Sequence, residues 1–130
     1  MYEKHFDAWI KVKEKIHNDS NKTPFNEKEV WWCCLGENVG VEISGKGEDF
    51  TRPVVIFKKL SADEFLGIPL STQLHNGSWY ATFIFNSIRQ TAFLSQIRTM
   101  STFRLKRRIG ELSNSDYKVI KKKLFELYFK

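Results

Sequence analysis

An arginine and two hydroxyls stand where the chain could hold a phosphate group. Arg52 precedes Pro53, and a residue before proline is kept extended, which aims the planar guanidinium instead of leaving it free to swing. Ser71 and Thr72 end a strand-like segment, where their hydroxyls can donate hydrogen bonds to phosphate oxygens. No GxSxG or SxxK motif accompanies them, so a serine nucleophile is not favoured. Guanidinium and hydroxyl together indicate phosphate binding or phosphoryl chemistry.

A second polar set lies further along the chain. Gln96 and Arg98 flank an apolar residue near the end of another strand-like segment, and four cations follow within ten residues: Arg104, Lys106, Arg107 and Arg108. Cations beside the aromatic side chains of Trp79, Tyr80 and Phe103 suit single-stranded nucleic acid, because the cations meet the backbone and the rings meet the bases. The sequence therefore predicts a nucleic-acid-binding face. A solvated basic surface that only maintains solubility is the alternative.

Charge is distributed unevenly between the two halves. Residues 1–65 carry 10 Lys and Arg against 12 Asp and Glu, whereas residues 66–130 carry 11 against 3, so the net charge of +6 arises in the second half. This asymmetry is typical of a polyanion-binding region. No apolar run approaches the ~20 residues of a membrane helix, and a charged N-terminus excludes a signal peptide. We expect a cytoplasmic protein with no membrane partner.

The spacing of the histidines, cysteines and glycines does not indicate a metal or cofactor site. His5, His17, His75, Cys33 and Cys34 form no CxxC, HxxxH or HExxH pattern. Adjacent cysteines on a strand point to opposite faces and cannot chelate one ion, and two cysteines make no disulfide framework. No GxxxxGK[ST] loop is present. We therefore predict no metal, no cofactor and two buried thiols in a reducing compartment.

Short aromatic and β-branched runs predict a mainly β domain. A small, partly open β-barrel with helical packing is the architecture that such strands and turn signals favour. Pro69 should force its strand to an edge or a bulge, and Asn76-Gly77 predicts a hairpin between the third and fourth strands. The predicted strands cover residues 29–35, 53–60, 65–72, 78–85, 91–99 and 103–112.

Helices are expected at both ends of the chain. Phe6, Trp9, Ile10 and Ile16 lie near one face of a predicted helix over residues 2–17, and a helix capped by Ser113 and Asp116 should end the chain. Residues 36–51 hold four glycines and four acids, which predicts a long, mobile loop. The expected domains are an N-terminal extension and linker at 1–28 and a barrel domain at 29–130.

Six motifs in order resemble the PemK/MazF family of toxins. They are EVWWCCLG, GVE, RPVVIF, IPLSTQ, SQIRT and RIGELS, followed by a final helix, and they run from about Glu29 to Leu127. The resemblance implies an SH3-like barrel that forms a homodimer. It also implies a metal-independent, sequence-selective endoribonuclease that cuts single-stranded RNA and is held inactive by a cognate antitoxin, whose disordered tail occupies the RNA groove.

The resemblance also implies roles for particular residues. Arg52 matches the family's active-site arginine, and Ser71 matches its catalytic threonine, with Thr72 next to it. Glu42 matches the glutamate of the G-x-E element. Gln96 and Arg98 match the segment that lines the RNA groove, and the cations Arg104, Arg107 and Arg108 extend the expected RNA-binding set.

This chain departs from the family pattern at three places. Serine replaces threonine at position 71, which keeps the hydroxyl and loses a methyl group. One branch of the family has an Asp and an Arg before its QIRT element and a His in its G-x-E element; Ser95, Phe93 and Val41 stand there instead. The loop before Arg52 also carries an extra GKGEDF segment, so RNA selectivity is expected to differ.

The implied mechanism uses the 2′-OH of RNA as the nucleophile. Arg52 would stabilise the developing phosphorane charge and deliver the proton to the leaving oxygen, Ser71 would orient the phosphate or the 2′-OH, and Glu42 would act as base or orient Arg52. Acids of the 36–51 loop would pair with Arg52 until RNA displaces them, unless the loop is only a spacer. Two alternatives are a non-catalytic nucleic-acid-binding barrel and a toxin of the same fold that poisons gyrase.

Overall fold

Seven strands and two α-helices make up the described part of the chain. The computed structural model describes residues 4–19 and 23–129. The elements are α1 (Phe6–Asn18), β1 (Glu29–Cys34), β2 (Thr51–Lys59), β3 (Glu64–Ser71), β4 (Tyr80–Phe85), β5 (Ile88–Phe93), β6 (Arg98–Ser101), β7 (Leu105–Glu111) and α2 (Asn114–Phe129). The predicted strand over 91–99 is two strands, because a 3-10 turn at Leu94–Gln96 interrupts it.

The strands form one antiparallel sheet that curls without closing. Its order is β4-β5-β3-β2-β1-β7, and β6 pairs with β3 beside this path. The described residues provide no pairing between β4 and β7, the two ends of the path. A mainly β, partly open barrel with a C-terminal helix and an extra N-terminal helix was predicted from the sequence, and it is confirmed.

Pro69 lies within a central strand. On one side β3 pairs with β2, and on the other it pairs with β6 through residues 64–67 and with β5 through residues 70–71. Pro69 therefore falls where β3 changes partners, and its missing N–H interrupts neither of those two ladders. The predicted edge position is wrong, because β3 has partner strands on both sides. Proline is accommodated at the gap between the two partners β6 and β5, where no partner strand needs its N–H.

The hairpin turn of the barrel is at Asn86 and Ser87. Both residues have positive φ, 50° and 65°, as a two-residue turn between twisted strands requires. This turn joins β4 to β5, and β5 in turn pairs with β3. The hairpin predicted at Asn76-Gly77 is wrong, because the segment after β3 carries the chain past β5 to the outer strand.

Two buried apolar clusters support the sheet and the C-terminal helix. The first packs strand residues, among them Val55, Ile68 and Phe83, against Ile120 and Leu124 of α2. The second lies on the opposite face of the same strands, since neighbouring residues of β1 and β2 belong to different clusters, and it includes Phe25, Trp31, Phe65, Met100 and Leu105. The Ser113 Oγ accepts the backbone N–H of Asp116 at 3.1 Å, which confirms the predicted cap of α2.

Trp9 is the main contact of the N-terminal helix. Trp9 is buried in α1 and Ile16 is half-buried, whereas Phe6 and Ile10 are about half exposed, so the predicted apolar face is covered only in part. The Trp9 ring meets Phe50 edge-on, with centroids 5.5 Å apart. It also covers Gly36, where an added Cβ would lie 2.2 Å from the ring and where φ is +83°. Glycine at this position therefore lets the helix approach the loop.

Hydrogen bonds hold the segment between β1 and β2, which we call the β1–β2 loop (residues 35–50). The Asn38 side chain donates to the carbonyls of Leu35 and Ile43 at 3.2 and 2.8 Å. Gly45 N donates to Gly36 O at 2.8 Å. The Lys4 ammonium donates to two further loop carbonyls, those of residues 38 and 40. The loop expected to be mobile is thus folded back on itself and joined to α1.

Both cysteines are buried in β1, as the sequence predicts. Cys33 and Cys34 are 0% exposed and form no disulfide. Burial raises the pKa of each thiol above its ordinary value. Cys33 lies directly opposite Arg52 in the β1–β2 ladder.

Candidate functional site

The sequence-predicted arginine and hydroxyls meet in one pocket. Arg52 is the second residue of β2, Ser71 is the last residue of β3, and Val54 pairs with Pro69, so the same register brings positions 52 and 71 level. These residues, with Thr72, line a pocket of about 280 Å³. We call it the Arg52–Ser71 pocket; its other lining residues are Val30, Trp32, Lys46, Thr51, Pro53, Leu70, Phe85, Asn86, Ile88, Gln90 and Ile109.

Backbone carbonyls aim the guanidinium of Arg52. Its Nε donates to Ser44 O in the β1–β2 loop at 2.8 Å, and its Nη1 approaches Leu70 O at 3.4 Å. Arg52 is half-buried. A guanidinium held from two sides in this way keeps its remaining N–H groups in a fixed direction, which suits recognition of a phosphate.

The hydroxyl of Ser71 is buried and oriented. Ser71 is 5% exposed, and its Oγ accepts the backbone N–H of Gln73 at 3.1 Å. A hydroxyl that accepts this bond still has its own proton to donate. Thr72 is exposed at the rim of the same pocket. The arrangement offers one buried and one exposed hydroxyl beside the cation.

Glu42 lies on the other side of Arg52 and outside the Arg52–Ser71 pocket. Its Oε1 accepts Val39 N at 2.9 Å, which closes a turn of the loop. It lines a second recess of about 490 Å³ together with Arg52, Lys46 and Gln73. Because Arg52 and Lys46 line both spaces, the pocket and this loop recess are neighbours along one groove.

Gln96 holds the loop. Its Oε1 accepts Ile43 N, and its Nε2 donates to Val41 O at 3.2 Å. Gln96 and Arg98 line a third recess of about 570 Å³, and Glu42 lines this recess too. The predicted RNA-contacting pair is therefore not in the Arg52–Ser71 pocket but at the far end of the same groove.

The predicted basic run divides into arginines that bond within the protein and cations that line a surface recess. The Arg104 Nη1 donates to Cys34 O at 2.8 Å and to Leu35 O at 3.4 Å, and burial together with the charge of Arg98 lowers its pKa. Arg108 pairs with Glu29 at 2.9 Å. Arg104 thus bonds the turn before β7 to the end of β1 and the start of the β1–β2 loop. Arg108 joins β7 to β1.

Lys106 and Arg107 are exposed, as Arg108 is, but they line a shallow recess. The other lining residues of this recess are Trp32, Asp49 and Thr51. Since Trp32 and Thr51 also line the Arg52–Ser71 pocket, these two cations lie at its border. An aromatic side chain, Trp32, thus stands between exposed cations and the pocket, whereas the sequence pointed to Trp79, Tyr80 and Phe103.

Gln90 is a pocket residue that sequence reasoning missed. It lies on β5, is 7% exposed and lines the Arg52–Ser71 pocket. Its sequence signal is a single polar residue between Ile88 and Ala92 on an otherwise apolar face. That signal was hidden because the predicted strand began at residue 91.

The described residues offer no membrane helix and no metal cluster. Neither α1 nor α2 is long and apolar enough to cross a bilayer. Within residues 4–19 and 23–129, no group of three or more His, Cys, Asp or Glu is placed to hold a metal ion.

Three solved structures share the fold of this chain. An endoribonuclease in complex with its cognate antitoxin, from a mycobacterial species, matches 83% of this chain and 98% of its own at 16% identity, with a TM-score of 0.60. The Mycobacterium tuberculosis toxin MazF-mt6 matches 67% and 93% at 17% identity, with a TM-score of 0.53. A further Mtb toxin matches 59% and 92% at 15% identity and the same TM-score. No curated protein matches by sequence.

The family itself is shown by sequence. A family model described as PemK-like, MazF-like toxin of type II toxin-antitoxin system matches residues 26–128. The chain belongs to this toxin family, as its six ordered motifs indicated, and α1 lies outside the matched range.

Proposed function

We propose that this toxin is a metal-independent endoribonuclease that cuts single-stranded RNA. The observation that carries the proposal is the convergence of Arg52 and Ser71, from adjacent strands, on one pocket. A fixed guanidinium beside an oriented hydroxyl can hold and polarise a phosphodiester. RNA supplies its own nucleophile in the 2′-OH, so the site needs neither an activated side chain nor a metal ion.

The proposed reaction is an internal transesterification. The 2′-oxygen attacks the adjacent phosphorus, the bond from phosphorus to the 5′-oxygen breaks, and the products are a 2′,3′-cyclic phosphate and a 5′-OH. Arg52 stabilises the charge on the phosphorane and gives the leaving oxygen its proton, while Ser71 donates to a non-bridging oxygen. Glu42 is the candidate acceptor for the 2′-OH proton, because it lines the next recess along the groove.

The groove also suggests how RNA lies on the protein. We place the scissile phosphate at Arg52, with the chain continuing past Glu42 towards Gln96 and Arg98, where the recesses adjoin. Thr72, Lys106 and Arg107 would meet the backbone at the rim. Arg104 and Arg108 serve chiefly to hold β1 and β7 together, in view of their bonds within the protein.

The proposed macromolecular partners are an antitoxin and a second copy of the chain. The mycobacterial endoribonuclease of similar fold is bound to its cognate antitoxin, which supports an antitoxin for this chain. A homodimer, the division at residue 28 and a cytoplasmic location remain predictions. Light scattering of the purified toxin, alone and with the protein encoded beside it, tests both partners.

Cleavage of a single-stranded RNA pool tests the proposed activity. We expect wild-type protein to cut RNA in EDTA, to leave DNA of the same sequence intact, and to yield cyclic phosphate ends. Arg52→Ala and Ser71→Ala should reduce cleavage at least a hundredfold, on the order seen for loss of one transition-state donor, whereas Ser71→Thr should retain it. Arg89→Ala, an exposed substitution on β5, is the matched arginine control.

The two alternatives predict different results in the same assay. A non-catalytic nucleic-acid-binding barrel would bind the RNA pool without cutting it. A gyrase poison would leave RNA intact and trap cleaved DNA when gyrase is added. Arg52→Ala also needs a melting curve, because Arg52 bonds to two backbone carbonyls and its loss should cost about 1 kcal/mol.

A further inference from the structure

The Arg52–Ser71 pocket contains a buried amide oxygen that no described residue satisfies. Gln90 is 7% exposed and lines this pocket, and within the described chain its Oε1 is a buried atom without a hydrogen-bond partner. The oxygen and nitrogen of a glutamine amide are easily exchanged in a structure. Whichever of the two amide atoms is the oxygen, one polar atom of the Gln90 side chain is buried at the position that lacks a hydrogen-bond partner among the described residues.

The surroundings of Gln90 on the sheet are apolar. Gln90 pairs with Phe83 across the β4–β5 ladder, and the next pairs on the same face are Ala81 with Ala92 and Phe85 with Ile88. Phe83, Phe85 and Ala92 belong to the buried core. An unpaired polar group among such residues loses its hydration without gaining a bond, so leucine or methionine would serve the fold better.

The same pocket offers surfaces for a flat ring. Trp32, Pro53, Phe85 and Ile88 line it, and Arg52 lies at its border with the loop recess. Aromatic and apolar side chains stack on nucleobases, while an amide presents one donor and one acceptor that match the edge of a base. The pocket therefore holds a base-stacking surface, an edge-reading group and a phosphate-binding cation together.

We propose that Gln90 is a specificity-determining residue, which hydrogen-bonds the edge of one nucleobase of the RNA beside the scissile phosphate. The inference rests on the proposed function and deepens it. The buried Oε1 accepts an N–H of the base, and the Nε2 donates to a neighbouring acceptor on the same edge. Gln90 thus selects which base enters the pocket, whereas Arg52 and Ser71 act on the phosphate whatever its sequence.

The chain provides a matched control one residue away. Thr91 is 1% exposed, and its Oγ1 is also buried without a partner among the described residues, but Thr91 does not line the pocket. Gln90→Leu and Thr91→Val each remove an unsatisfied buried polar atom and keep the side-chain volume. Both variants should melt no lower than the wild type, because neither loses a hydrogen bond.

The test is the sequence profile of cleavage in a randomised single-stranded RNA pool. We expect wild type and Thr91→Val to share one profile. Gln90→Leu should lose preference at one position next to the cut by about tenfold or more, the range of a bidentate base contact. Gln90→Glu, whose ionised side chain only accepts, should move the preference at that position towards guanine, which offers two adjacent N–H donors.

Binding provides a second measurement that does not require turnover. Oligonucleotides with a 2′-deoxy sugar at the cut cannot react, so their affinity for wild type and Gln90→Leu can be compared for all four bases at the position. Base-dependent affinity that disappears in Gln90→Leu supports the proposal.

Three outcomes overturn the inference, and they differ in what else they affect. If the wild type cuts RNA and Gln90→Leu keeps the wild-type profile, Gln90 does not read a base, and the proposed endoribonuclease activity stands. If the wild type cuts no RNA, the proposed function and the role of Gln90 both fail. A Gln90→Leu protein that melts well below Thr91→Val would also contradict the proposal, because it would give Gln90 a structural bond.

Discussion

The Arg52 Nε and the backbone oxygen of Ser44 are 2.8 Å apart, so the β1–β2 loop itself orients the arginine of the site. The loop is in turn held by Gln96 through Ile43 and Val41. A residue of the QIRT element thus reaches Arg52 indirectly, through two loop segments. The position of the guanidinium depends on residues from three parts of the chain.

Gln96→Ala should weaken catalysis by loosening this loop. The substitution leaves Ile43 N and Val41 O without their partners, at a cost of about 1 kcal/mol for each bond. We expect a fall in kcat, because Arg52 is less well aimed, together with faster hydrogen exchange of the amides of residues 41–45. Arg98→Ala, in the same recess but without a bond to the loop among those described, should leave exchange unchanged. Equal exchange in the two variants would contradict the argument.

Trp9→Ala should separate the helix from the loop. The ring is 5% exposed and packs on Phe50 and Gly36, so its loss should destabilise the docked helix by about 3 kcal/mol. Far-UV circular dichroism and exchange of residues 36–50 measure the effect. Phe6→Ala, on the exposed side of α1, is the control and should change little. A Trp9→Ala protein with unaltered loop exchange would show that α1 does not support the loop.

The cations of β7 and its preceding turn should fall into two groups in a salt titration. Lys106→Ala with Arg107→Ala should flatten the salt dependence of RNA binding by a slope of about 1.4, since each contact to a single strand releases ~0.7 counterion. Stability should change little, because both side chains are exposed.

Arg104→Ala should behave in the opposite way. It leaves the carbonyls of Cys34 and Leu35 without this donor and should lower stability by about 1–3 kcal/mol. Chemical denaturation measures this loss. A stable Arg104→Ala protein with a flattened salt slope would place Arg104 in the RNA groove instead.

Glu29 should make stability depend on acid pH. Burial raises the pKa of this carboxyl, but hydrogen bonds from Asn26 N, the Trp31 indole and Arg108 outweigh burial and lower it overall. The folded state therefore binds fewer protons than the unfolded state near the carboxyl's ordinary pKa of about 4.5. Its stabilising contribution is present above that pH and is lost as pH falls through the folded-state pKa.

Glu29→Gln checks this prediction. Denaturation curves between about pH 3 and 7, the range in which an ordinary carboxyl titrates, should show a shallower pH dependence for the variant, with the largest difference from wild type at neutral pH. Glu111→Gln is the control, because Glu111 is exposed and lies 3.9 Å from Arg108. Parallel curves for wild type and Glu29→Gln would contradict the assignment.

Sequence patterns correctly predicted the features that are determined by residues close together in the chain. The alternation of β4, the Ser113 cap and the proline after Arg52 each act within a few residues, and all appear where expected. The pairing of β3 with β5 and the docking of Trp9 on Gly36 depend on contacts between residues far apart in the chain. No local signal distinguishes such contacts from their alternatives.

The site divides in the same way. Arg52 and Ser71 could be found because each lies at the end of a recognisable strand. The roles of the other residues could not be predicted from the sequence. Gln96 and Arg104 bond to backbone groups within the protein, and only the folded chain shows which backbone groups lie within hydrogen-bond distance. Gln90 required knowledge of the face on which a single polar residue is buried.

The reactivity of the two buried thiols can measure how often the site opens. Cys33 is opposite Arg52, Cys34 is opposite Thr51, and both thiols are 0% exposed, so neither can meet an alkylating reagent until the structure around β1 and β2 opens. Burial and the raised thiol pKa also keep the reactive thiolate scarce in the closed form. The rate of alkylation therefore measures how often the structure around this pair of strands opens. A ligand bound at Arg52 should lower that rate, and the measurement needs no probe added to the protein.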